Sequence, residues 1–267
     1  MLGRQQLYTT ENELMEIIPL EYHRAIGDIL SSNYAEPLFQ TLGANQVDSV
    51  DFSSYEDATI IHDLNVPIPQ HLKMKYNVVF DGGTLEHIFN FPVAIKNCMS
   101  FLEIGGHFIS ITPCNNQCGH GFYQFSPELF YSLFKRQYGF KMVLIYLAVE
   151  QPDGIRDWYE VINPDVVKAR VTLRNSNPSY LMILAKKEFE YDLDLKPFQS
   201  DYSEVWTKHS KENSQPSKGY FASLYRKLFP KPFRDFIYRL KSGGSGLKEI
   251  EGLGMVNSKY YKKISKK

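Results

Sequence analysis

Three times in close succession a short, partly apolar run ends in an aspartate: Gln46 to Asp51, Ala58 to Asp63 and Tyr76 to Asp81. Each run reads as a strand, and its acid falls at the strand's C-terminal end, which in an open α/β sheet is the edge where ligands bind. A carboxylate there accepts paired hydrogen bonds from a ribose diol, and one on the next strand takes an adenine amino group. A single such acid is also an ordinary helix cap. Three along one rim constrain the chain to a sheet with a shared binding edge, with capping and chance as the alternative.

The third run belongs to the longer stretch 76–92, where the strand bends through Gly82 and Gly83 and presents Thr84, Glu86 and His87 before a proline-marked helix start. Around it, apolar residues keep helical spacing from Glu11 to Phe39, interrupted at Pro19 and Pro37, and again from Pro92 to Leu102. Gly105-Gly106 ends that second helix. His107 to Thr112 then reads as a strand, and residues 114–125 as a polar loop. Ser126-Pro127-Glu128 is a helix start with Ser as N-cap and Pro at the first position, opening a helix to about Gln137. Phe140 to Val149 and Tyr180 to Ala185 read as two final strands, separated by an irregular segment containing Arg156, Trp158 and Tyr159. Alternating strands and helices predict a doubly wound α/β sheet, and the helix-free final pair predicts an antiparallel edge hairpin.

With 43% hydrophobic residues the chain falls in the globular class. Its longest strongly apolar run, Met142 to Val149, is too short to cross a bilayer, and the first residues lack the pattern of a secretory leader, so a cytoplasmic protein is expected. Cys98, Cys114 and Cys118 are too few for a disulfide framework. The net charge of zero conceals a division: residues 208–267 hold 15 Lys and Arg against 4 Asp and Glu, leaving the remainder acidic. We therefore divide the chain into a body at 1–187, a polar linker at 188–218 and a basic, aromatic extension at 219–267. The extension suits peripheral contact with an anionic membrane face or a protein, or a solvated tail, its last stretch from Ser242 reading as mobile. Nucleic acid is not expected, since an acidic body repels phosphates. Cys114-x3-Cys118-x-His120 offers three legs of a zinc site without a fourth, and no G-x-S-x-G elbow is present.

The chain resembles the class I S-adenosylmethionine (SAM)-dependent methyltransferases over residues 1–187. The resemblance is carried by LGRQ at 2–5, DSVDFS at 48–53, HDLN at 62–65, FDGGTLEHI at 80–88, LEIGGHFISITP at 102–113 and GHGFYQFSPELF at 119–130. Within that superfamily it is similar to bacterial methyltransferase-like proteins, some associated with polysaccharides. The resemblance implies a Rossmann-like, mostly parallel sheet and SAM as cofactor, with Gly3 at its methionine moiety, Asp51 on the ribose hydroxyls, and Asp63 and Leu64 at the adenine. Asp81 and Gly82 would line the methionine end, and Glu86 would help close the site. His87 and His120 are the candidate bases, with a structural role in the loop as the alternative for each. The acceptor implied is a small molecule or glycan precursor, methylated on oxygen. The first motif departs from the family pattern, having one glycine after a two-residue strand and Arg4 in the turn. A binding or scaffold protein that has lost turnover is the alternative. Metal-assisted relatives carry an acid where this chain has Gly83, so no metal is expected.

Overall fold

The computed structural model describes residues 1–167, 175–191, 194–199 and 260–264. Eight strands follow in chain order: β1 (Val50–Asp51), β2 (Ile60–Ile61), β3 (Tyr76–Asp81), β4 (Leu102–Asn115), β5 (Phe140–Glu150), β6 (Arg156–Val161), β7 (Ser179–Lys187) and β8 (Tyr261–Lys263). They form two ladders, β1-β2 and β3-β4-β7-β5-β6-β8. Leu2 joins them, bridging Val50 on one side and Asp81 on the other, both in parallel. From Leu2 the chain builds outward to β1 and β2, then returns across Leu2 to build β3 and β4 on the other side. The order therefore reverses between Leu2 and β3, and a doubly wound sheet binds ligands at such a switch point. The fold is the predicted Rossmann-like one, with β3 and β4 parallel and β7 antiparallel to both β4 and β5.

Several elements differ in extent from the sequence expectation. β1 and β2 are two residues long instead of six. At the step before them, side chains replace the backbone ladder: Ser49 N–H donates to Thr59 Oγ1 at 2.8 Å, and Thr59 N–H to Ser49 Oγ at 3.2 Å. β4 is longer than expected. Its Leu102 pairs with Tyr76, and the ladder resumes at His107 with Val78, so residues 103–106 bulge outward. Gly105, with φ +90°, makes that turn. The segment read as irregular contains β6, which pairs antiparallel with β5, so the expected β5–β7 hairpin is extended at its outer side. β8 then pairs with β6, placing Tyr260 and Tyr261 of the tail in the core, where Tyr261 is only 2% exposed. The stretch expected to be mobile thus holds an edge strand. The linker and extension otherwise lie largely outside the described residues, including most of 219–267.

Helices α1 (Glu11–Ile17), α2 (Ile26–Leu30) and α3 (Glu36–Thr41) follow Leu2, and Leu14, Ile18, Ile26 and Ile29 form a small core of their own. α1 begins in a capping box, with Thr10 and Glu13 bonded reciprocally. α4 (Phe91–Phe101) and α5 (Pro127–Leu133) contribute to the main core, as does a chain of aromatic contacts through Phe91, Phe125, Phe130, Phe134 and Phe140. Ser126 is the N-cap of α5 in its extended backbone, although its hydroxyl makes no capping bond. A short helix, α6 (Pro164–Val167), follows β6. No described helix is long and apolar enough to cross a membrane.

Candidate functional site

The C-terminal ends of Leu2, β1 and β3 converge on one crevice. Gly3 sits there with φ +63°, and a Cβ on it would stand 3.0 Å from Thr84 Oγ1 and 3.9 Å from Asp51 Oδ2. A side chain would be strained in this left-handed backbone and would crowd Thr84, so glycine keeps the main chain close to the Thr84, Gln5 and Asp51 side chains. Arg4, which the sequence places in the turn, is drawn out of it: its guanidinium donates to Glu36 Oε1 at 2.8 Å and Glu56 O at 2.9 Å, and lies over the Tyr34 ring. Gln5 instead reaches inward. Its amide donates to Leu2 O at 2.5 Å, and its side chain lies where a Cβ on Gly82 would be.

The three rim acids have different surroundings. Asp51 is partly exposed; Oδ1 accepts from Ser53 N–H at 3.1 Å, and Oδ2 accepts no hydrogen bond among the described residues. Asp63 accepts from the backbone and side-chain amides of Asn65, both at 2.8 Å, and these bonds hold its carboxyl below the usual range. Leu64 beside it is buried, and its carbonyl accepts from Asn97 on α4. Asp81 corrects the expectation that it lines the crevice. It is wholly buried, accepting from Thr84 N–H at 2.9 Å, Leu85 N–H at 3.3 Å and the Ser110 hydroxyl at 2.7 Å. It builds the turn that carries Thr84, whose hydroxyl donates to Leu2 O at 2.8 Å. Burial pushes its carboxyl up to about 6 against the pull of those bonds.

Immediately beyond that turn lies a second cluster. Glu86 and His87 occupy a 3-10 turn at residues 85–87, and His120 comes from the loop after β4. The loop is fixed by Phe122 N–H donating to Glu86 O at 2.8 Å and Tyr123 N–H to the same oxygen at 3.2 Å. Gly121 makes this approach possible, since a Cβ there would stand 2.9 Å from Glu86 O. The side chain of Glu86 is 0% exposed; Oε2 accepts from Thr112 Oγ1 at 3.3 Å, while Oε1 has no hydrogen-bond partner. His120 Nε2 stands 3.4 Å and His87 Nε2 3.9 Å from that Oε1. Burial raises the Glu86 carboxyl, opposed by its own backbone amide and by His120; burial and the neighbouring His120 lower His87. The two rings face one another with centroids 5.4 Å apart.

The structure thus brings Gly3, Asp51 and Gly82 to one crevice and Glu86, His87 and His120 to its border, with Asp81 buried beneath the turn that joins the two. It does not join Cys114 and Cys118 to His120: Cys114 is largely buried, its thiol pushed up to about 12, and Cys118 is exposed. Tyr123 is engaged structurally, donating to Phe89 O at 2.6 Å and stacking on Phe125. Gln5, Ser110 and Thr112 had no assigned role from sequence. The last two stand at alternate positions of an apolar strand, so both point to one face, and that pattern of polar residues was the available signal.

No family model matches the chain, and no curated protein does. Solved structures similar to it include a proposed methyltransferase from Bacillus halodurans C-125, at 9% identity over 58% of this chain and 87% of that one, with a TM-score of 0.33. Another is the 1,6-didemethyltoxoflavin-N1-methyltransferase of Burkholderia thailandensis, solved with 1,6-didemethyltoxoflavin and S-adenosylhomocysteine, at 13% identity over 58% and 67%, with a TM-score of 0.36. Phosphoethanolamine N-methyltransferase 1 of Haemonchus contortus is similar at 12% identity over 61% of this chain and 39% of its own, with a TM-score of 0.25.

Proposed function

We propose that the chain is a SAM-dependent methyltransferase acting on an oxygen of a small molecule or glycan precursor. One observation carries the reading: at the switch point of the sheet, a left-handed glycine, Gly3, sets partly exposed backbone beside Asp51, whose Oδ2 accepts no hydrogen bond among the described residues. Main chain that a ligand can approach closely, next to a carboxylate with acceptor capacity, is what a nucleoside with a charged amino-acid end requires. Asp51 would hold the ribose hydroxyls, Asp63 and Leu64 the adenine edge, and Gly3 and Gly82 the methionine end. Asp81 would act from beneath by fixing the Thr84 turn, with Glu86 at the border of the site.

Bound SAM supplies an already activated sulfonium methyl. The protein then has to orient the acceptor, exclude water and remove a proton from a hydroxyl acceptor. His87 and His120 stand where the crevice meets solvent, and either imidazole in its neutral form can take that proton; burial and the neighbouring His120 lower the proton affinity of His87. Gln5 favours a second reading, a binding or scaffold protein without turnover, because its side chain occupies space between Gly3 and Gly82.

Calorimetric titration of the full chain with S-adenosylhomocysteine separates the cofactor reading from a fold without it. We expect saturable binding with one site, weakened about tenfold or more in Asp51→Ala by loss of charge-assisted bonds. Absence of binding at millimolar ligand would refute the cofactor assignment, and unchanged affinity in the variant would refute the ribose assignment.

A further inference from the structure

We infer that Glu86, His87 and His120 form a binding site for a divalent first-row transition cation, independent of whether the neighbouring crevice takes SAM. One ligand atom from each of the three lies within 4.8 Å of the others, and theirs is the group of His, Cys, Asp and Glu side chains able to hold a metal among the described residues. Proximity alone would not carry the inference; the second observation is the state of Glu86. Its Oε1 is buried and has no hydrogen-bond donor, an arrangement that costs free energy unless something positive completes it. Among the described residues, the cationic candidates within 4 Å of it are the two imidazoles, at 3.4 and 3.9 Å, outside a good hydrogen bond. The 3.4 Å separation instead suits ligands sharing an ion, since two donor atoms each about 2.1 Å from a tetrahedral metal stand about 3.4 Å apart, and His87 at 3.9 Å needs to close by about half an ångström.

The surroundings have the organisation of a built site. Thr112 holds the other carboxylate oxygen, which fixes the orientation of Oε1 as outer partners of metal ligands do. Asp81 caps the turn bearing Glu86 and His87, and two backbone bonds to Glu86 O pin the loop bearing His120. The set is preorganised from two loops by contacts that the ligands' own side chains do not make. His87 and His120 are 48% and 45% exposed, so an ion held there keeps positions open on the solvent side. Two imidazoles and one carboxylate select Zn2+, Mn2+, Fe2+ or Co2+ over the oxygen-seeking Mg2+ and Ca2+. The sequence argument against a metal rested on Gly83 and did not anticipate His120 as a third ligand. With an ion present, the two histidines hold a Lewis acid at the acceptor side instead of taking a proton themselves.

Tag-free, chelator-treated full-length protein titrated with Co2+ tests this by the visible absorption of the ion, with Zn2+ and Mg2+ as competitors. We expect one Co2+ per chain, displaced by Zn2+ and not by equimolar Mg2+. His87→Ala and His120→Ala should each weaken Co2+ binding about tenfold or more, while His62→Ala, away from the cluster, should leave it unchanged. Thermal melts establish that the variants fold; if Glu86→Gln does not, the two histidine variants still decide the matter. Failure to bind stoichiometric Co2+ or Zn2+, or undiminished affinity in the His87→Ala/His120→Ala double variant, would overturn the inference. Neither result depends on S-adenosylhomocysteine binding, so the two proposals fail separately.

Discussion

At the scale of single residues, Asp81 is the buried hinge between sheet and site. A carboxyl raised from 3.8 to about 6 binds its proton more tightly in the folded protein than in the unfolded chain. Its contribution to stability is therefore full below about pH 4 and is lost as pH rises through about 6, a change on the order of 2–3 kcal/mol. Asp81→Asn removes that dependence while keeping one acceptor oxygen. Urea unfolding at pH 4.5 and 7.5 should show the wild type losing stability relative to the variant as pH rises; parallel pH profiles would contradict the assignment. The acid at the end of β3 was legible from the apolar run, Val78 to Phe80, that leads into it. That it faces Ser110 and the turn instead of the crevice was not, because the partner arrives from a strand 29 residues later.

At the scale of elements, α4 is more than a covering helix. Asn97 on its buried face accepts from Ile68 N–H at 3.0 Å and donates to Leu64 O at 3.2 Å and Val66 O at 2.8 Å, clamping the loop behind the proposed adenine edge. Asn97→Ala leaves the buried Ile68 N–H and Leu64 O, and the partly buried Val66 O, without that partner. We expect a loss of about 2–4 kcal/mol in chemical denaturation and faster amide exchange over 64–68. Unchanged exchange there would show that the loop holds itself. The helix was readable from its apolar period, Val93, Ala94, Ile95, Cys98, Met99 and Leu102, but the polar residue on its buried face was not distinguishable from a solvent-facing one. The same limit applied to β1 and β2. Their acids were in place, but the Ser49–Thr59 exchange that shortens the ladder depends on two segments meeting.

At the scale of the molecule, the described end of the tail closes the sheet. Tyr261 is buried on β8 against the main core, and Lys263 pairs with Asp157 Oδ1 of β6 at 2.9 Å. Tyr261→Ala should cost about 3 kcal/mol by emptying a core position, read as a lowered thermal midpoint. Because β8 lies at the opposite edge of the sheet from β2, S-adenosylhomocysteine affinity measured well below the midpoint should be unchanged. A parallel loss of affinity would mean that the edge strand supports the crevice. Charge contrast alone separated the basic tail from the acidic body, and it gave no reason to seat part of that tail in the sheet; the buried pair Tyr260 and Tyr261 does.

The sequence by itself determined the alternation of strands and helices through β5, the rim of three acids and the glycine turns, because periodicity and backbone demands are local properties of the chain; it did not reveal β6 or β8. Only the tertiary structure decided which acid keeps a free oxygen, that Arg4 leaves the turn while Gln5 enters it, and that His120 meets Glu86 and His87. Those outcomes depend on residues far apart in sequence competing for the same donors and the same space, and no spacing rule encodes the winner. The third rim acid, Asp81, thereby became the support of the turn, and the cluster beside it holds a buried carboxylate oxygen that accepts no hydrogen bond.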